Sequence, residues 1–249
     1  MNHSSSKAGA PREPDLPPYR VVLAETDWGS LQTAFGNGEC LPKVLARLLE
    51  PDPKVQVTAL SELSELVGHQ NSIYEATAPV AMYVAGILTH PAAMTLRPYH
   101  NVPIRATLLN WLGSTAYDAS DEIVGRTERY FPGFLAPGTI VASFRDLRPM
   151  LFPAVAPFLQ DSHEDVREAA GLAALILAEH PALAQHRDHL AVHARRILDT
   201  SSDALNRRVA WKALKAWGHD VTDIEPFQEE PWDCGPHSDG RRGDLEPPF

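Results

Sequence analysis

The sequence predicts an all-α fold, an α-solenoid of about four to five helical hairpin repeats held between disordered termini. Three observations carry that prediction. Ala and Leu are dense through the middle of the 249 residues while Gly and β-branched residues are sparse there, which favours helix over sheet. Apolar residues recur at i, i+3, i+4 and i+7, the period of a helix with one buried face. The same two-helix unit then returns along the chain, and at 44% hydrophobic the whole can bury a sizeable core.

The elements follow in order. Residues 1–18, "MNHSSSKAGAPREPDLPP", are rich in Pro, Ser and Gly with no apolar core, and are expected to form a disordered tail rather than a leader peptide. The solenoid is expected over 19–222. Its first unit is "LARLLEPDPKVQVTALSELSELV": an apolar helix ending in Leu48-Leu49, a turn of Asp and Pro, then an amphipathic helix. A second unit, "YVAGILTHPAAMTLRPYHNVPIRATLLNWLGS", repeats the plan with a longer turn. In the third, "VAPFLQDSHEDVREAAGLAALILAEHP", Asp161 and Ser162 are placed to cap the second helix, and Asp165 and Arg167 to tie one repeat to the next. "ARRILDTSSDALNRRVAWKALKAWG" is the fourth. The paired apolar residues Leu48-Leu49, Ile87-Leu88, Phe158-Leu159 and Ile197-Leu198 step by 39, 71 and 39 positions, which fits repeats of about 40 residues with one insertion. A single hairpin has too little apolar face to fold alone, so neighbours must stack.

The long middle step contains the insertion, about 113–149, where "ASDEIVGRTERYF" is predicted to form a short amphipathic helix. Glu122 lies on it, and Tyr130, Phe131 and Phe134 follow as aromatic anchors, a residue type enriched in interface hot spots. A buried satellite cluster explains the same aromatics equally well. Residues 223–249 are acidic and Pro-rich and are expected to be a second tail. Between 220 and 249 nine acids face two arginines, so seven of the chain's ten net negative charges lie there and the body is close to balanced.

"GHQNSIYEATAP", residues 68–79, presents His69, Tyr74 and Glu75 on a short polar segment. On the repeat plan it is a joint: Val67 ends a helix, 68–72 turn, and Thr77 caps the next helix with Pro79 in its first turn. Joints need polar side chains to satisfy helix ends, and these residues can do that without catalysis. His186, His189 and His193 share one helical face, but three turns span about 10 Å, too far for all to bind one ion. No metal or cofactor is assigned. Arg195, Arg196, Arg207, Arg208 and Lys212, interleaved with Trp211 and Trp217, form the one basic cluster that could meet a phosphate backbone. Against it stand the helical spacing of the tryptophans, which suits core, and the acidic residues just downstream. No G-x-S-x-G, P-loop, G-x-G-x-x-G or H-E-x-x-H motif occurs. Cys40 and Cys234 lack C-x-x-C spacing, and no window approaches the ~18 apolar residues of a membrane span. A soluble cytoplasmic protein is expected.

"DSHEDVREAAGLAAL" resembles the HEAT-repeat signature, an Asp at the turn and Val-Arg at the head of the second helix. "FGNGECLPKVLARLLEPD" with "ALSELSELVGHQNSIYEATAPVAMYVAGIL" is similar to bacterial HEAT-repeat proteins of actinobacterial type carrying a His-Gln-x-x-x-Tyr-x-Ala-Thr segment. The likeness covers about residues 28–181. Gln56 stands where the signature has Arg, and the last repeat lacks a clean Asp-x-x-Val-Arg. The resemblance implies a non-enzymatic protein-binding scaffold, an accessory or immunity protein that neutralises or regulates a partner such as a toxin or basic effector. His69, Tyr74, Glu75, Glu122, Tyr130, Phe131 and Phe134 are the expected contacts. The alternative it allows is a HEAT-like DNA-binding enzyme such as an alkylpurine DNA glycosylase, with the basic cluster on the nucleic acid.

Overall fold

The computed structural model describes residues 15–98 and 101–224. The described residues are mostly helical, as the composition predicts. The calls on 1–14 and on the acidic segment beyond Ile224 lie outside them. No helix among the described residues is long and apolar enough to cross a membrane.

After irregular residues 15–18, α1 (Tyr19–Glu25) leads to a 3₁₀ turn (Trp28–Ser30) and a small antiparallel pair, β1 (Gln32–Thr33) with β2 (Gly36–Asn37). The helical pattern does not announce this hairpin. It forms because Gly36 takes φ 123°, which an L side chain resists, and because Thr33 Oγ1 donates to the Gly36 carbonyl at 3.0 Å. Helices α2 (Leu41–Arg47) and α3 (Pro53–Gly68) pack on each other. Asp52 starts α3 by accepting from Lys54 N at 2.9 Å, with Pro53 in the first turn where its missing N–H costs nothing.

Helices α4 (Thr77–Ile87) and α5 (Ile104–Asp118) form the next pair, followed by the inserted α6 (Asp121–Thr127) and α7 (Ile140–Arg145). Helix α8 (Arg148–Val155) runs into a 3₁₀ segment (Ala156–Gln160) and packs with α9 (Glu164–Leu177); α10 (Arg187–Thr200) packs with α11 (Ala204–Ala216). The second helices form one layer, α3 on α5, α5 on α9 and α9 on α11, while α4 meets α8 behind them. The most extensive contact joins α5 to α9. Small residues permit it: a Cβ on Gly113 would lie 3.3 Å from the Ala173 Cα. The core runs through all these pairs, from Leu41 and Leu63 through Leu108 and Ala173 to Leu190 and Leu214.

A recurrent contact joins successive helices. The last carbonyls of a helix have no intrahelical donor, and here a long side chain from a following element supplies one. Gln56 donates to Leu48 O at 3.0 Å, Arg105 to Leu88 O at 2.8 Å, Arg148 to Ala119 O at 2.8 Å, Arg167 to Asp161 O at 2.9 Å, and Arg187 to Ala178 O at 3.0 Å. Each acceptor is the residue that closes an earlier helical segment. Gln56, which departs from the expected Arg, does the same work while buried, and its Nε2 also reaches Ala92 O at 3.0 Å.

One expected cap and one expected tie between repeats are corrected. Helix α9 is entered through His163, whose side chain makes no cap bond. Asp161 turns the chain instead, accepting from His163 N at 2.9 Å and pairing with Arg105 of α5 at 3.4 Å. Arg167 stays within its own turn, bonding Asp161 O and Ser162 O, and Asp165 sits 3.3 Å from His163. The tie to the neighbouring pair is therefore Asp161–Arg105. A short acid at the turn reaches across, whereas the Arg on the helix curls back to the nearest orphan carbonyls.

Candidate functional site

The insertion helps to build a cleft that brings together Glu122 and Lys212 from among the expected residues. Helix α5 ends at Asp118, and buried Ser120 starts α6 by accepting from Ile123 N at 3.3 Å. Asp121 and Glu122 occupy the first turn, where helix N-terminal charge favours acids. Beyond α6 the carboxylate of Glu128 accepts from Gly133 N at 3.0 Å and Leu135 N at 2.6 Å, folding the loop around itself. Gly133 and Gly138 take φ 89° and 86°, and Thr139 caps α7. This bracing leaves Tyr130 69% and Phe131 68% exposed, while Phe134 packs against the core. The three expected anchors thus divide into two displayed rings and one structural ring.

A cleft of about 530 Å³ lies between α6, α9 and α11, reaching Arg187 at the head of α10. Glu122 is its charged centre. Arg126 Nη2 lies 3.0 Å and Lys212 Nζ 3.1 Å from Oε1, Arg208 Nη1 lies 3.7 Å away, and Tyr117 donates to Oε2 at 3.2 Å. Burial pushes this carboxyl up, but the Lys212 hydrogen bond and charge, Arg208 and the Tyr117 hydroxyl outweigh it and hold the group below its usual range. Arg208 also donates to Tyr117 Oη at 2.9 Å. On the opposite wall Glu179 accepts from Asp121 N at 3.0 Å and pairs with Arg148 at 2.9 Å, while Asp121 pairs with Arg145. Arg187 donates to Glu179 O at 3.1 Å, and its guanidinium stands 6.0 Å from the Trp217 ring centroid.

His69, Tyr74 and Glu75 lie elsewhere, at the joint between α3 and α4. Glu75 Oε2 accepts from Gln32 N at 2.9 Å, fastening the β-hairpin. His69 Nδ1 is 3.1 Å from Glu65, and its ring meets Phe35 of the hairpin tip at 5.1 Å edge to face. Tyr74 Oη donates to the His69 carbonyl at 3.4 Å. Each makes a separate structural contact. Thr77 does not cap α4 but is buried, donating to Val67 O at 2.8 Å and accepting from Tyr74 N at 2.9 Å, so one hydroxyl clamps two helix ends. Gln70 and Asn71 turn the chain with φ 52° and 56°.

The basic cluster divides. Arg208 and Lys212 face Glu122 in the cleft; Arg195 donates to Asp220 O at 3.0 Å; Arg196 is half-buried on α10 and Arg207 exposed on α11. His193 is buried with its ring 5.3 Å from that of His189, and His186 packs 4.5 Å from Phe152, so the three imidazoles do not converge. Burial, then His189 and Arg196, pull the His193 pKa down. No group of three metal-ligating side chains occurs among the described residues.

Sequence reasoning found Glu122, Arg208 and Lys212 without seeing that they share one cluster. It passed over Arg126, Arg129, Glu179, Arg187 and Trp217 as cleft residues. The i,i+4 spacing of Glu122 and Arg126 was a usable local signal; nothing local joins Glu122 to α11. No protein-family model matches this chain, and no curated protein or solved structure matches it either.

Proposed function

We propose that this chain is a non-enzymatic protein-binding scaffold, a HEAT-like α-solenoid whose partner docks on the loop between α6 and α7. The observation that carries the reading is the display of Tyr130 and Phe131, both more than two-thirds exposed, on a loop braced by the Glu128 carboxylate. Large rings held in place lose little side-chain freedom on binding, so their burial converts efficiently into affinity. The stacked helix pairs, with one side chain after another capping an earlier helix, support the solenoid reading. The joint residues His69, Tyr74 and Glu75 brace the scaffold that carries this loop. The task is neutralisation or regulation of a partner protein, of the accessory or immunity kind.

The DNA-binding alternative draws on Arg195, Arg196, Arg207, Arg208 and Lys212. It has less support, because Arg208 and Lys212 answer a carboxylate and Arg195 holds a backbone carbonyl.

The test is affinity capture from the source cell with the tagged full chain, at about 0.3 M salt where screening is strong and with nuclease added. The wild type is compared with Tyr130→Ser/Phe131→Ser. One protein recovered in near-equal amount by the wild type, and at least about tenfold less by the double variant, is expected of hot-spot rings. Equal recovery by both chains, or recovery that collapses with nuclease, sinks the reading.

A further inference from the structure

Each acid of the cleft between α6, α9 and α11 has its partners within the protein. Asp121 pairs with Arg145 and Glu179 with Arg148, while Glu122 accepts from the Tyr117 hydroxyl and faces Arg208. Arg187 is placed differently. Its Nε donates to Ala178 O at 3.0 Å and its Nη2 to Glu179 O at 3.1 Å, both backbone carbonyls just past α9. These two bonds fix the guanidinium in the cleft wall, 6.0 Å from the Trp217 ring centroid. Among the described residues it pairs with no carboxylate, and its Nη1 makes no hydrogen bond. Arg187 is half-buried, and a charge drawn out of water without a counter-ion is costly until an anion meets it.

We propose that this cleft binds a small aromatic carboxylate, its carboxyl group on Arg187 and its ring on the apolar floor beside Trp217. Leu175 and Ile176 of α9 and Val209 of α11, all buried, make that floor with half-buried Ala213. At about 530 Å³ the cleft falls within the range of roughly 300–1,000 Å³ typical of small-molecule sites, where an apolar lining carries a few polar groups that fix orientation. A guanidinium is a planar fork of N–H donors matched to a carboxylate, and the two backbone bonds of Arg187 hold that fork in place before any ligand arrives. One uncommitted nitrogen suits one carboxyl group. A phosphate brings three strong acceptor oxygens and more charge than that nitrogen can answer, and a neutral ligand leaves the guanidinium unmet. Trp217 selects the body of the ligand, since a flat ring packs against its face in offset or edge-on contact. Tyr130 and Phe131 lie outside the lining of the cleft, so its occupancy does not require them.

The full chain is titrated calorimetrically at low salt with 2-naphthoate and with 2-naphthamide, a neutral compound of nearly the same shape. The acid is expected to bind at least about tenfold more tightly, because a charge-assisted contact to a fixed guanidinium separates the two. Arg187→Gln, shown to be folded by a thermal melt, is expected to bind both compounds equally weakly. Arg187→Lys keeps the charge and is expected to retain part of the preference for the acid. Ala213→Phe puts a ring where the ligand's ring would lie and is expected to bind the acid at least about tenfold less well than the wild type. Should Arg187→Gln fail to fold, the acid-to-amide ratio of the wild type and the loss in Ala213→Phe decide. Equal binding of acid and amide by the wild type overturns the proposal, as does the absence of binding at naphthoate concentrations up to about 10 mM. A preference that survives Arg187→Gln, or naphthoate binding unchanged in Ala213→Phe, overturns it as well. Partner capture through Tyr130 and Phe131 enters none of these readouts.

Discussion

Arg148, with no exposed surface, places Nη1 2.9 Å from Oε2 of Glu179, and the pair pins the insertion to the body of the fold. The other terminal nitrogen, Nη2, donates to Ala116 O and Ala119 O at the end of α5, and Glu179 takes the Asp121 N–H that opens α6. Burial draws the guanidinium pKa down, opposed by Glu179, and burial raises the Glu179 carboxyl against the pull of Arg148. Removing one member strands the other's charge. Arg148→Met is expected to cost about 3–5 kcal/mol, the usual penalty for breaking a buried pair. Urea denaturation of Arg148→Met, Glu179→Gln and the double variant measures it; a double variant no better than the sum of the two singles refutes the coupling.

Asp118 supplies a pH signature. Burial raises its pKa from 3.8 to about 7. Between those values the folded state holds the proton that the unfolded state has lost. Stability therefore falls as pH rises through this window, by at most about 1.4 kcal/mol per pH unit for one proton. The Asp118→Asn chain should lose that slope and be the more stable of the two above pH 7. Parallel denaturation curves across the window for both chains would refute the assignment.

Gly113 sits where α5 packs on α9, its missing Cβ 3.3 Å from backbone of Ala173. Gly113→Leu forces backbone apart rather than a flexible side chain, so a loss at or above the usual ~1–3 kcal/mol of overpacking is expected. Gly125→Ala serves as the control, since a Cβ there meets nothing within 4 Å; it should be neutral or slightly stabilising in thermal melts.

The joint reading of residues 68–79 is tested at Thr77. Thr77→Val keeps shape but leaves Val67 O and Tyr74 N without the hydroxyl that serves both. A loss of about 1–3 kcal/mol is expected from unsatisfied buried groups. Glu75→Gln keeps an acceptor for Gln32 N and should cost far less. A Glu75→Gln chain that loses partner capture while keeping its stability would make the joint a binding site instead.

Much of the fold was legible because helix is a local property. Period 3.6 marked α3, α5, α9 and α11, and Pro, Asp and Ser at the turns marked where they stop. The apolar pairs Ile87-Leu88 and Phe158-Leu159 are buried as their spacing implies. The β-hairpin escaped because two residues per strand carry no period; its evidence is one glycine and one threonine. Glu122 could be singled out by type and position. That three cations from α6 and α11 converge on it could not, because sequence distance says nothing about which turns of separate helices face one cavity. The same limit applied to Asp161, whose partner is Arg105, 56 residues away. By itself the sequence determined a mostly helical chain, the apolar faces of its longer helices and its uneven charge, since each follows from neighbours within a few residues. Only the tertiary structure decided which acids are answered, which aromatics stay exposed and where positive charge gathers, since those depend on how packed helices share one low-dielectric space.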